Sequence, residues 1–216
     1  GAMAAADRAA GDDAEFLSTL AGGWAGLGDP ARALSYMRRS FEGRPASIDQ
    51  RLQYAGLLLE LGQDAEFEGT ADLLLLRQRL TPDQGRSLEG LIVGYRIKLA
   101  DQARERGDLA SAYAMLREVV QRRPQEARVQ MALARIFDAA GDHAQAMAIY
   151  DGILQREPDN LDVIYGAANA ALGSGDIPLA EQRVNAARRA APDATAQLMQ
   201  LRQPETLGPL DHHDRR

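Results

Sequence analysis

An Asp directly follows a Gly at several points of this chain, and the interval between these pairs limits the fold more than any other feature. Gly107, Gly141 and Gly175, each followed by Asp, are 34 residues apart, and a proline follows each glycine by seventeen residues. An interval of 34 residues is typical of stacked helix-turn-helix units, in which each unit covers the apolar face of the next. We therefore predict an all-α solenoid of about five helix pairs.

The same interval organises most of the remaining chain. Gly28 and Gly62 are also 34 residues apart, and residues 127–160 form the clearest copy. We predict repeats 1 and 2 in residues 14–80 and repeats 3 to 5 in residues 93–193. The rest is interpreted as the remnant of an expression tag with a lead-in (1–13), a capping helix (194–201) and a flexible tail (202–216), in a piece of a longer protein.

One irregularity interrupts the period between the second and third repeats. Gly62 and Gly107 are 45 residues apart, which is one period plus eleven residues, or about three helical turns. Thr81 and Gln84 have the spacing of a capping box, with a proline at the first helical position between them. We predict one long inserted helix over residues 82–106.

Three glycines, Gly85, Gly90 and Gly94, lie inside this predicted long helix. Each glycine in a helix interior costs roughly 1 kcal/mol relative to alanine. We therefore predict that the long helix contains a hinge at these glycines, where the solenoid changes direction.

Composition excludes several classes of function. The formal net charge of −6 argues against nucleic acid binding, which needs a basic face, and the absence of cysteine excludes thiolate chemistry. No stretch is long and apolar enough to insert into a membrane. His143, His212 and His213 have no patterned carboxylate or thiol partners, so no metal site is expected. We predict no enzyme activity and no cofactor.

The repeat pattern resembles the tetratricopeptide repeat. Residues 127–160 match most of its consensus classes, at Leu133, Ala134, Phe137, Gly141, Ala146, Tyr150 and Pro158. Two departures are Gln130, where the consensus has Trp, and Trp24, where a Tyr is usual. The resemblance covers about residues 14–193 and implies a right-handed superhelical solenoid.

A more particular resemblance covers about 45 residues around the inserted helix. This segment is similar to one in the periplasmic repeat domain of the outer-membrane component of bacterial cellulose synthases, with matches at residues 80–84, 90–91, 100–101, 104, 107–108 and 112–113. The resemblance implies a periplasmic repeat domain followed by an outer-membrane β-barrel that exports the glucan. Related exporters of other exopolysaccharides also carry periplasmic tetratricopeptide domains.

Two functions of different classes follow from these resemblances. The first is a non-catalytic periplasmic scaffold that positions the polysaccharide synthase or its periplasmic partners under an outer-membrane pore. Its candidate partners are proteins of the synthase complex, the glucan chain and peptidoglycan. The alternative is a cytoplasmic adaptor that binds peptides in the concave groove of the repeats.

In the repeat geometry, exposed positions of each first helix line the inner groove. The candidate partner-binding residues are Asp101, Arg104, Glu105, Arg128, Met131, Arg135, Asp138, Asp162, Tyr165 and Asn169. Their mixed charge suits a peptide or a partner helix, and it equally suits a solvated helix face with ion pairs along the helix. The Lys and Asn pattern with which chaperone-binding repeats hold a terminal carboxylate is absent.

Direct sugar binding would need exposed aromatic rings on which a sugar can stack. Tyr113 and Tyr150 fall on second-helix positions that should be packed, and Trp24 falls on a core position. Tyr54, Tyr95 and Tyr165 are the tyrosines expected to be freer. We therefore consider stacking on a glucan less well supported than protein binding.

Overall fold

The computed structural model describes residues 13–42, 45–77 and 79–190, and α-helix is the only regular secondary structure in this described part. Its ten helices are α1 (Ala14–Gly26), α2 (Pro30–Ser40), α3 (Ile48–Glu60), α4 (Asp64–Arg77), α5 (Pro82–Glu105), α6 (Leu109–Arg122), α7 (Ala127–Ala139), α8 (His143–Leu154), α9 (Leu161–Gly173) and α10 (Ile177–Ala190). The predicted capping helix, the tail and residues 1–12 of the lead-in lie outside the described residues.

The turn inside each pair of helices explains the period seen in the sequence. Among the described residues, the glycines with positive φ, between +69° and +83°, are Gly28, Gly62, Gly107, Gly141 and Gly175. A side chain would be strained in this left-handed conformation, so the turn selects glycine. In four of the five turns the next residue is an Asp whose carboxylate caps the following helix, at Asp29, Asp108, Asp142 and Asp176.

The inserted helix is confirmed as one continuous element, α5, from Pro82 to Glu105. Its capping box is also present, because the Thr81 backbone N–H donates to the Gln84 side chain at 3.0 Å and the Gln84 backbone N–H donates to the Thr81 hydroxyl at 3.3 Å. The first half of this helix has no counterpart in the other repeats, which accounts for the longer interval between Gly62 and Gly107.

The chain divides into two compact units, Gly1–Lys98 and Leu99–Arg216. In the first unit the core lies between successive helix pairs, and its largest fully buried side chains are Leu17, Met37, Leu58, Phe67, Leu74 and Leu88. In the second unit the corresponding residues are Leu116, Val129, Ile153 and Val163. Each such side chain contributes roughly 1.5–3 kcal/mol to folding, so packing between neighbouring pairs stabilises each unit.

Candidate functional site

The second unit contains a cavity of about 420 Å³ that is lined mainly by the first helices of repeats 3 to 5. We call it the groove cavity. Six of its lining residues are among those predicted from the sequence: Arg104, Met131, Arg135, Asp138, Asp162 and Asn169. Ala139, Tyr150 and Gly166 complete the lining and are not among them. Helices α5, α7 and α9 therefore bring most of the candidate residues of the second unit to one place.

Two arginines of the groove cavity share a single carboxylate. The Arg135 guanidinium donates two hydrogen bonds to Asp101, from Nε at 3.0 Å and from Nη2 at 2.7 Å. Arg104 donates from Nε to the same carboxylate at 3.3 Å. Asp101 and Arg135 are one period apart, so the bidentate pair joins equivalent positions of neighbouring repeats. Asp101 itself does not line the cavity, although it was predicted to be a groove residue.

The carboxylate of Asp138 lies within hydrogen-bond distance of a histidine side chain. The Nδ1 atom of His143 lies 2.7 Å from Oδ1 of Asp138, and both side chains are about a quarter to a third exposed. The His143 imidazole also lies directly against the backbone of Gly173, where a β-carbon would collide with the ring. His143 therefore contacts both α7 and α9 while about a quarter of its side chain stays exposed.

Tyr150 forms part of the cavity floor although it belongs to a second helix, α8. Its side chain is only 2% exposed. The ring fits there because residue 166 is a glycine, whose β-carbon, if present, would lie 2.5 Å from two ring carbons and 2.8 Å from the hydroxyl. Burial raises the pKa of Tyr150 above its ordinary value, and the charges of Arg135 and Asp138 act on it with opposite signs.

Comparison with known proteins identifies the repeats. A family profile described as tetratricopeptide repeat matches residues 103–153 and 139–202. A thermophilic tetratricopeptide-repeat protein of Thermus thermophilus covers 87% of this chain and 96% of its own, with a TM-score of 0.55 at 19% identity. A tetratricopeptide-repeat protein of Parabacteroides merdae covers 80% of this chain and 63% of its own, with a TM-score of 0.53 at 17% identity.

The chain is a tetratricopeptide-repeat protein. Its sequence is also similar to curated proteins named cellulose synthase operon protein C, at 41% identity over 146 residues in Xanthomonas axonopodis and 34% over 168 residues in Pseudomonas fluorescens. These alignments cover 66% and 77% of this chain but only 9% and 13% of the relatives. The chain therefore corresponds to only a small part of each of these cellulose synthase operon proteins.

The remaining predicted groove residues of these tetratricopeptide repeats do not line the cavity. The Arg128 guanidinium donates a hydrogen bond to the Glu126 carboxylate, with 2.7 Å between Nη2 and Oε1. Burial alone would raise the pKa of Glu126, but hydrogen bonds from Arg128 and Arg123 hold it below its ordinary value. Tyr165 is 8% exposed, and Glu105 accepts a hydrogen bond from Arg104 at 3.3 Å.

The prediction about which tyrosines are free is wrong. Tyr54, Tyr95 and Tyr165 are each only 8% exposed, whereas Tyr113 is 48% exposed. The hydroxyls of the first two reach across to a neighbouring helix, where Tyr54 contacts Glu66 and Tyr95 donates to Glu68 at 2.7 Å. A first-helix tyrosine can bury its ring between helices and still satisfy its hydroxyl at the edge, which the repeat position alone does not show.

The first unit has its own cavity of about 620 Å³, lined mainly by residues of α1 and α3. Its lining includes Ser18, Thr19, Gln50 and Gln53. Part of this polar capacity is already used internally, because the Gln50 amide donates to the Ser18 hydroxyl at 3.0 Å.

The described ranges hold no candidate for a metal site or for a membrane-spanning segment. Within them, no three or more His, Asp or Glu side chains are grouped so that they could hold a metal ion. None of the helices described combines the length and the apolar character needed to cross a bilayer.

Proposed function

We propose that this chain is a non-catalytic periplasmic scaffold in a cellulose synthesis and export complex. Its groove would position the synthase or its periplasmic partners under an outer-membrane pore. The support from sequence is the similarity to cellulose synthase operon proteins at up to 41% identity. The tetratricopeptide fold supports a role in protein binding, because stacked repeats present a continuous surface to a partner.

The observation that carries this proposal is the groove cavity. Arg104, Arg135, Asp138, Asp162 and Asn169 place charged and amide groups around one concavity, with Met131 as an apolar contact. Such a lining can hold a segment of another protein by hydrogen bonds and ion pairs. A partner that binds there would be fixed at a defined position along the repeat array.

The test is direct binding of the periplasmic part of the cognate synthase complex, measured by calorimetry. Asn169→Lys puts a bulky cation into the groove cavity, and we expect it to weaken binding about tenfold. The matched control is Asn185→Lys, the same substitution at an exposed position of α10 away from the cavity. Equal affinities of the two variants would contradict a role for the groove, and absence of binding by the unmodified chain would contradict the scaffold.

A peptide-binding cytoplasmic adaptor remains the alternative function, because the groove geometry serves it equally well. The open reading frame of the parent protein separates the two. An upstream signal peptide and a downstream region of alternating strand pattern would support the exporter. A parent protein with neither feature would support the adaptor.

Direct glucan binding by aromatic stacking has less support. Tyr54, Tyr95 and Tyr165 are buried, and the Arg32 guanidinium lies 4.1 Å from the centre of the Trp24 ring. Tyr113 alone is an exposed ring among the tyrosines described here. A single ring offers little of the stacking surface that a sugar chain needs.

A further inference from the structure

The groove cavity is not electrostatically neutral once its internal ion pairs are counted. Arg104 and Arg135 are both engaged by Asp101, and Arg104 also contacts Glu105. The two guanidiniums are therefore already neutralised by carboxylates of the same chain. A carboxylate from a ligand would have to compete with Asp101, which holds Arg135 in a bidentate pair.

The carboxylates on the other side of the cavity have unused capacity. Asp162 is exposed, and it makes no ion pair or side-chain hydrogen bond with any residue the structure describes. Asp138 shares only one of its oxygens, Oδ1, with His143. An ionised carboxylate has about four acceptor sites, so both groups can accept further hydrogen bonds from a cation.

A second and independent observation points to a ligand at this place. Tyr150 is only 2% exposed, lines the cavity, and its hydroxyl has no hydrogen-bond partner among the described residues. The hydroxyl is not one of the fully enclosed polar atoms that lack a partner, so it is reached from the cavity and is free to hydrogen-bond with what occupies it. The glycine at position 166 leaves this hydroxyl accessible from the cavity, since a larger residue would occupy the same space.

We propose that the groove cavity binds the cationic end of a Lys or Arg side chain presented by a protein partner. Asp162 and Asp138 receive the charge, the Tyr150 hydroxyl accepts a hydrogen bond, and Met131 contacts the aliphatic stem. This inference rests on the proposed function, because it takes the occupant of the cavity to be a protein. It adds the chemical group, a side-chain cation, that this protein must present.

The first test uses Nα-acetyl-lysine amide as the probe in an NMR titration of the complete 216-residue chain. We expect backbone signals of residues around Asp138, Asp162 and Gly166 to shift with this probe. Nα-acetyl-norleucine amide, which has an alkyl chain but no charge, should leave them unchanged. Equal shifts with both probes, or shifts spread over all acidic surfaces, would overturn the proposal.

Variants then locate the binding groups. Asp162→Asn and Tyr150→Phe should each weaken binding of the lysine probe at least about fivefold, because each removes one acceptor for the ammonium group. Asp159→Asn is the matched control, since Asp159 is an exposed carboxylate outside the cavity and the charge change is the same. A loss as large in the control as in Asp162→Asn would show non-specific attraction and overturn the proposal.

Two further arms separate this inference from the proposed function and from another source of amines. Binding of the synthase's periplasmic part that is insensitive to Asp162→Asn and Tyr150→Phe would overturn the cavity proposal but leave the scaffold intact. Binding of the lysine probe without binding of the synthase would overturn the scaffold alone. A soluble muropeptide with a free diaminopimelate amine that binds far more tightly than a lysine-containing peptide would overturn the assignment to a protein.

Discussion

At residue 166 the lack of a side chain decides where a neighbouring ring lies. The Tyr150 ring occupies the space that any β-carbon at this position would need, and in doing so it brings its hydroxyl to the groove cavity. In most soluble helices a glycine is only a loss of helix propensity. Here Gly166 allows Tyr150, a residue of the second helix of its repeat, to line the groove cavity, which is otherwise formed by first helices.

Gly166→Ala should therefore destabilise the second unit. The new β-carbon would lie 2.5 Å from the Tyr150 ring, which is buried and must shift, and such overpacking costs about 1–3 kcal/mol. Gly152→Ala is the control, because nothing lies within 4 Å of its β-carbon position and the change should stabilise helix α8 by roughly 0.5–1 kcal/mol. Thermal unfolding followed by circular dichroism measures both, and a rise in Tm for both variants would contradict the close packing.

At the scale of single helices, most boundaries could be predicted from sequence because they depend on local chemistry. The turn glycines, the Asp caps and the Thr81–Gln84 capping box each act within a few residues, so the sequence contains them completely. The position of Tyr150 in the cavity could not be predicted, because it depends on the absence of a side chain at Gly166 in the next repeat. The burial of Tyr54 and Tyr95 could not be predicted either, because their partners lie on other helices.

The hinge in α5 stays a prediction. Gly85 and Gly90 face open space, so an added β-carbon would contact nothing within 4 Å. Gly94 differs, since its β-carbon would lie 3.4 Å from the Leu59 side chain and a close approach of α3 already accounts for it. If the helix bends in solution, Gly85 and Gly90 are therefore the better candidates.

A pH-dependent contact joins helices α4 and α5. The pKa of Tyr95 is raised to about 12 from its ordinary value near 10. Burial is the largest cause, and the hydrogen bond to Glu68 is the second. The folded state therefore keeps the phenol protonated, and this contribution is fully present below pH ~10 and lost as the pH rises towards 12.

Tyr95→Phe should remove this dependence. The variant will be somewhat less stable at pH ~8, because it lacks the hydrogen bond to Glu68, but its urea midpoint should fall less steeply between about pH 10 and 12 than that of the unmodified chain. Tyr113→Phe, at an exposed position of α6, serves as the control and should leave the slope unchanged. Identical slopes for all three chains would show that Tyr95 does not govern the alkaline loss of stability.

At the scale of the whole molecule, a repeat array distributes its stability through contacts between neighbouring pairs. Tetratricopeptide pairs contact mainly the next pair, so damage at one place need not reach distant repeats. The division into Gly1–Lys98 and Leu99–Arg216 follows the same logic, since each unit has its own set of fully buried side chains. Local unfolding of one unit is therefore expected to leave the other protected from hydrogen exchange.

Ile153→Ala tests this independence. Ile153 is fully buried in a cluster with Ala134, Tyr150 and Val163, and loss of its side chain should cost about 2–5 kcal/mol. We expect hydrogen exchange, measured by mass spectrometry, to accelerate in α7 to α9 while α1 to α3 keep their protection. Leu17→Ala, a fully buried position in the first unit, is the reciprocal variant and should show the opposite pattern. A uniform loss of protection in both variants would mean that the two units unfold together, because only a single cooperative transition exposes distant helices equally.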